Sequence, residues 1–140
     1  SFPASLALQS KGLKAWLYRI LLRTANVSEV KYWVVIDENS QKVIGTTGLY
    51  CYKKDQHEAD WMGWHCIDPN YRGFGIGVKL LDFTIEKAKA RGKKYLRLYT
   101  STDPNEAAAN LIYDKKGFKI FKRNLIKGTN IELLYREKEL

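Results

Sequence analysis

The sequence predicts an α/β (α+β) domain: a mixed, mostly antiparallel sheet with a central parallel strand pair and helices on both faces. Three observations predict it. An apolar run over residues 59–67, a helix-period segment after it and an alternating run over 95–100 follow one another, and the next segment is again helical. Such a βαβα unit makes its two strands parallel neighbours with a right-handed crossover. Hairpin patterns flank the unit on both sides, which supplies the antiparallel remainder. Finally, a glycine-rich loop, Tyr71-Arg72-Gly73-Phe74-Gly75-Ile76-Gly77, joins the first of those strands to its helix.

Leu13, Trp16, Leu17, Ile20 and Leu21 share one helical stripe, so residues 13–22 read as an amphipathic helix packing on the sheet. Residues 32–36 are β-rich, Asp37-Glu38-Asn39-Ser40 is a turn, and residues 43–52 form the second arm of a hairpin. A polar loop over 53–58 leads to the strand at 59–67, closed by the turn Asp68-Pro69-Asn70. Leu80, Leu81, Thr84, Ile85 and Ala88 then recur at helical spacing up to Gly92. After the strand at 95–100, Asp103 as N-cap, Pro104 and Glu106 compose a capping box, opening a helix that stops at Gly117. Residues 118–124 and 131–136 are two closing strands joined by a turn at 127–130.

The totals bound the class. At 140 residues, with 45% apolar and 28% charged content, the chain reads as one soluble domain, 1–140, able to bury a core. No apolar run reaches the ~18 residues of a membrane helix, and the start lacks a secretory pattern. The first residue is Ser1 rather than Met, which is compatible with a trimmed start. Cys51 and Cys66 match no zinc or redox spacing, no metal site is expected, and a reducing cytoplasmic setting is the default. The net charge of +9 invites a polyanion. Its basic residues are scattered and no nucleic-acid motif accompanies them, so nucleic acid is not the expected partner.

The loop is where chemistry concentrates. A strand, a glycine-rich turn and a helix start aim backbone N–H groups and the positive end of a helix dipole at one spot, a setting that suits phosphate. Arg72 adds a permanent cation. The spacing is not that of a dinucleotide loop, because the sixth position from Gly73 is Val78, and Gly77-Val78-Lys79 does not close a P-loop. The pattern Arg72-Gly73-x-Gly75-x-Gly77 after a strand closely resembles motif A of the GNAT superfamily of N-acetyltransferases. Asn110-Leu111-Ile112-Tyr113-Asp114-Lys115-Lys116-Gly117-Phe118 resembles the tyrosine-bearing helix of the same family. The element order from about Trp33 to Arg136 is also similar, while the family's first strand has no clear counterpart unless residues 2–8 are its remnant.

That resemblance implies acetyl-CoA as cofactor and acetyl donor, with a small-molecule or peptide amine as acceptor. It implies a pyrophosphate site at Arg72, Gly73, Phe74, Gly75, Ile76, Gly77 and Val78, with the thioester carbonyl held by a backbone N–H near Cys66 or Ile67. Asn105 is a further cofactor contact or simply part of the helix cap. Tyr113 is the implied acid that returns a proton to the leaving thiolate and so also touches the cofactor. Its alternative is a core position with a wet hydroxyl.

The general base is less defined. The strand positions where the family often carries Glu or His are Trp61 and Gly63 here. Strict alternation would put Trp61, Gly63 and His65 on one face and Asp60, Met62, Trp64 and Cys66 on the other. His65 is therefore the candidate base, beside a route through ordered water. Asp60 and Glu58 read as solvated carboxylates, with attraction of a cationic amine at the pocket mouth as the alternative, and Cys66 as a small buried hydrophobe rather than a nucleophile. Trp33, Tyr50, Tyr52, Trp61 and Trp64 divide between core and an amine pocket. Direct acetyl transfer in a ternary complex is the first expectation, and a non-catalytic acyl-CoA sensor or adaptor the second. A homodimer is left open.

Overall fold

A computed structural model describes residues 26–140, and within them the predicted strands and helices form. The strands are β1 (Val27–Ile36), β2 (Val43–Tyr52), β3 (Ala59–Ile67), β4 (Tyr95–Ser101), β5 (Lys119–Leu125) and β6 (Glu132–Glu139). Helix α1 (Ile76–Ala90) lies between β3 and β4, and α2 (Ala107–Lys115) between β4 and β5. The sheet order is β1-β2-β3-β4-β6-β5, antiparallel everywhere except between β3 and β4. The predicted helix over 13–22 and the strand remnant over 2–8 lie outside the described residues.

Most boundaries follow the sequence pattern to within a residue, with extensions at the start of β1 and at the end of β6, which runs to Glu139 rather than 136. β1 begins at Val27 rather than at residue 32, because Val27 and the polar Glu29 and Lys31 still pair along β2, with a register shift at Ser28. Leu49, Met62, Leu96 and Leu98 point from the sheet onto Leu81, Ile85 and Ala88 of α1, with Phe118 completing the core. Ile112 and Tyr113 of α2 pack on the same cluster, so both described helices share one face of the sheet. Arg136 of β6 fixes α2 there, donating to Asp114 Oδ1 at 2.7 Å, to Asn110 Oδ1 at 3.1 Å and to the Phe118 carbonyl at 3.0 Å.

Two features of β3 shape everything downstream. Its parallel pairing with β4 covers only Ala59↔Tyr95, Asp60↔Leu96 and Trp61↔Arg97, after which the two strands part. Toward β2, the pairs Gly48↔Gly63 and Thr46↔Cys66 leave Thr47 facing two residues, Trp64 and His65. This is a β-bulge, and Trp64 takes up its kink with φ of 51°. The extra residue reverses the alternation. Trp64 joins Tyr50 on the face away from α1, with ring centroids 5.8 Å apart, while His65 turns toward α1. The expected grouping of Trp61, Gly63 and His65 on one face is thereby corrected.

Asp60 is also not the solvated carboxylate that its polar neighbourhood suggests. It is fully buried, and Arg91 at the end of α1 donates to it at 2.7 Å while bridging to Glu29 at 2.8 Å. Glu58 is tied to Arg97 at 3.1 Å. Cys51 Sγ donates to Asp60 at 3.0 Å, and burial together with that carboxylate pushes the thiol up to about 11. Arg91→Met should lower unfolding free energy by about 3–5 kcal/mol in urea titration, because it leaves the Asp60 charge buried without its partner.

Candidate active site

Where β3 and β4 part, the sheet opens into a cavity of about 490 Å³. On the face carrying the helices its wall includes Met62, His65, Thr100, Glu106 and Tyr113. On the opposite face it is lined by rings, chiefly Tyr50, Tyr52, Trp64 and Tyr99. The split thus connects the two sides of the sheet. No group of three or more His, Cys, Asp or Glu side chains among the described residues could hold a metal.

The glycine loop follows directly on the end of β3. Asp68 caps the short turn Pro69–Tyr71, accepting from the Asn70 amide, and Arg72 Nε donates to the Ile67 carbonyl at 3.2 Å. Gly73 (φ 85°) and Gly75 (φ 77°) then occupy the left-handed region, where a side chain is strained. Gly75 is the N-cap of α1 and supplies no side-chain cap, and the first turn contains no acidic residue. Among the described residues, no turn or cap hydrogen bond engages the amides from Gly73 to Val78. A Cβ placed on Gly73 or Gly75 would meet nothing within 4 Å. Phe74 is 74% exposed, so this stretch is not folded into the core. Gly77 sits over the end of β3, its would-be Cβ 3.9 Å from Ile67, with Ile76 and Val78 half-buried beside it.

Tyr113 projects from α2 toward the cavity, its ring against Phe118 with centroids 5.7 Å apart. Burial first, and the Glu106 charge second, raise its phenol above the ordinary value, against a smaller opposing pull from Arg136. Its hydroxyl has no hydrogen-bond partner among the described residues. The phenol is therefore protonated at neutral pH and free to give that proton up inside the cavity.

His65 lines the same cavity, but a hydroxyl relay anchors it. Thr84 gives its one proton to the Leu80 carbonyl at 2.8 Å, so Thr47 must donate to Thr84 Oγ1 at 2.8 Å. Thr47 is then an acceptor for His65 Nδ1 at 3.1 Å, which places the ring proton on Nδ1. Burial lowers the imidazole to about 4, against an opposing interaction with the Gly77 backbone. A ring of that basicity stays neutral and is a weak base. Because the unfolded value near 6.5 lies above the folded one, the unfolded chain takes the proton first as pH falls. Stability from this group is complete above pH 6.5 and is lost toward pH 4. We expect His65→Asn to remove ~2–3 kcal/mol of the difference in unfolding free energy between pH 7 and pH 4.

Cys66 is exposed, with Sγ 3.4 Å from Thr46 Oγ1, and is not the buried hydrophobe expected from its apolar neighbours. The bulge one residue earlier accounts for this. Ile67 is buried at the strand end and pairs with Gly45. Asn105 is exposed and its amide donates to Asp103 at 2.9 Å, which is the capping geometry. The capping box itself is rearranged. Ser101 Oγ accepts from the Asp103 amide and donates to Glu106, so the Glu106 carboxylate is turned to the cavity instead of back to Asp103.

Glu106 and Thr100 are the site residues that sequence reasoning missed. The available signal was spacing, since Glu106 precedes Tyr113 by seven residues, two helical turns on one face.

Comparison with known proteins agrees with this geometry. A family model described as acetyltransferase (GNAT) domain matches residues 28–120. An uncharacterized N-acetyltransferase of Methanocaldococcus jannaschii is 36% identical over 62 residues, 44% of this chain. That stretch spans 26% of the relative's length. The IAA acetyltransferase from Bacillus cereus superposes with a TM-score of 0.66 at 21% identity, covering 99% of this chain and 92% of that one. A GNAT family acetyltransferase from Elizabethkingia anophelis, solved with acetyl-CoA bound, gives 0.65 at 19% identity, over 96% and 88%. At such identities the structural likeness speaks for the fold. With most of its length matched by the family model, and with a split sheet and an uncapped helix start in place, the chain belongs to the GNAT acetyltransferase family.

Proposed function

We propose that this protein transfers an acetyl group from acetyl-CoA to a primary amine by direct attack within a ternary complex. The observation that carries the reading is the set of uncapped amides from Gly73 to Val78, placed where the sheet splits. In this reading the amides and Arg72 hold the pyrophosphate, and the helix dipole of α1 favours its charge. The pantetheine arm runs along the unpaired edge of β3, pairing with the backbone near Cys66 and Ile67. Asn105, exposed at the turn that opens α2, is in this reading a further polar contact for the cofactor.

The residues then divide the chemistry. A backbone N–H at Cys66 or Ile67 stabilises the developing oxyanion, and Tyr113 protonates the leaving thiolate. His65 is a neutral, anchored part of the wall, and its low basicity makes it an orienting group rather than a direct proton acceptor. The acceptor amine loses its proton through water in the cavity. A thiol-release assay with a panel of primary amines tests the reading. Amine-dependent release of CoA supports transfer. Stabilisation by acetyl-CoA without release under any amine would instead favour an acyl-CoA-binding sensor, a reading that Trp61 and Gly63 in place of a strand carboxylate keep open.

A further inference from the structure

The acceptor half of the cavity has a composition at odds with the rest of the chain. The protein carries a net charge of +9, yet among the described residues no Lys or Arg lines the cavity. The one carboxylate among its described lining residues is Glu106. Its Oε2 accepts from Ser101 Oγ, while Oε1 has no partner among the described residues. Beside it Thr100, 4% exposed, has a buried Oγ1 without a hydrogen-bond partner. An unpaired buried hydroxyl is costly and calls for a partner supplied from outside the fold. The Tyr113 hydroxyl is likewise uncommitted. Three oxygens with one negative charge therefore line one cavity, and the facing wall consists of the Tyr50, Tyr52, Trp64 and Tyr99 rings.

Resting on the acetyl-transfer reading, we infer that this cavity selects a primary ammonium carried on a flat apolar body with no carboxylate of its own. The ammonium is held by the Glu106 carboxylate and the Thr100 hydroxyl, and the body packs against the tyrosine and tryptophan rings. An ammonium supplies the donors that Thr100 Oγ1 and Glu106 Oε1 lack, since it has three and needs no acceptor site. The rings add the attraction of their faces for a cation and area for an aryl group. An α-amino acid is rejected, because its carboxylate would meet the Glu106 charge in a cavity whose described lining offers no cation. Glu106 is in this scheme the specificity-determining residue for the acceptor.

The test uses 2-phenylethylamine, phenylalanine and 2-phenylethanol as probes, titrated calorimetrically into the CoA-loaded protein and into its Glu106→Gln variant. Gln keeps the size of the side chain and its bond to Ser101, and removes the charge. Wild-type protein should bind 2-phenylethylamine at least about tenfold more tightly than either analogue, a preference on the scale of one buried charge contact. Glu106→Gln should weaken that amine about tenfold, leave 2-phenylethanol unchanged and leave the affinity for CoA unchanged. Equal binding of phenylalanine and 2-phenylethylamine, no binding of the amine, or indifference of the amine to Glu106→Gln would each overturn the inference while leaving acetyl transfer standing. Failure of the protein to bind CoA at all would overturn both.

Discussion

Gly75→Asp is expected to weaken acetyl-CoA binding by about a hundredfold or more, measured as the loss of ligand-induced thermal stabilisation. Gly75 is the N-cap of α1, with φ of 77° and open space where a side chain would begin. The variant therefore meets no wall of the protein. It places a carboxylate in the volume assigned to a doubly charged diphosphate, and like charges ~4 Å apart near a protein surface repel by a few kcal/mol. Backbone strain is a separate effect and can be subtracted. Gly92, at the other end of the helix, has φ of 76° and equally open surroundings. Gly92→Asp should cost similar stability and leave acetyl-CoA binding intact. Equal loss of binding in the two variants would mean that strain, rather than the ligand's charge, explains the first.

Tyr113→Phe carries the second large effect. Phenylalanine preserves the ring packing against Phe118 and removes only the hydroxyl, so folding and cofactor affinity should persist. Turnover should fall by about a hundredfold or more under conditions where chemistry limits the rate, the usual worth of a positioned acid. The pH profile adds a sharper expectation. Burial and the Glu106 charge hold the Tyr113 phenol above its ordinary value, so the acid keeps its proton across the range in which the amine loses its own. The rate should climb with pH and show no falling limb from this group below pH 10. A falling limb near pH 8 in wild-type protein, absent from Tyr113→Phe, would show the phenol titrating too early for the role.

These expectations draw on features of unequal visibility in the sequence. The β3–α1–β4 order and the glycine loop were legible because periodicity and turn chemistry are local. Residues 43–52 and 59–67 match β2 and β3 to the residue for that reason. The bulge was not legible. Gly63 inside a strand is a general mark of irregular pairing, but it does not say which residue will be unpaired, and that residue decides which way His65 and Cys66 face. Asp60 shows the same limit from another side. Its burial is made tolerable by Arg91, 31 residues away, a partner that no local pattern supplies. Glu106 was read as a helix cap, a sound local inference that the nearby Ser101 hydroxyl displaces.

The most direct measurement is a ¹H–¹⁵N correlation spectrum of the protein titrated with acetyl-CoA. If the helix start is the diphosphate site, the amides of Gly73, Phe74, Gly75, Ile76 and Gly77 should show the largest shifts. Those shifts should saturate together with changes at Cys66 and Tyr113. Saturating acetyl-CoA that leaves these five amides in place would contradict the assignment of the loop, and with it the path by which the thioester reaches Tyr113.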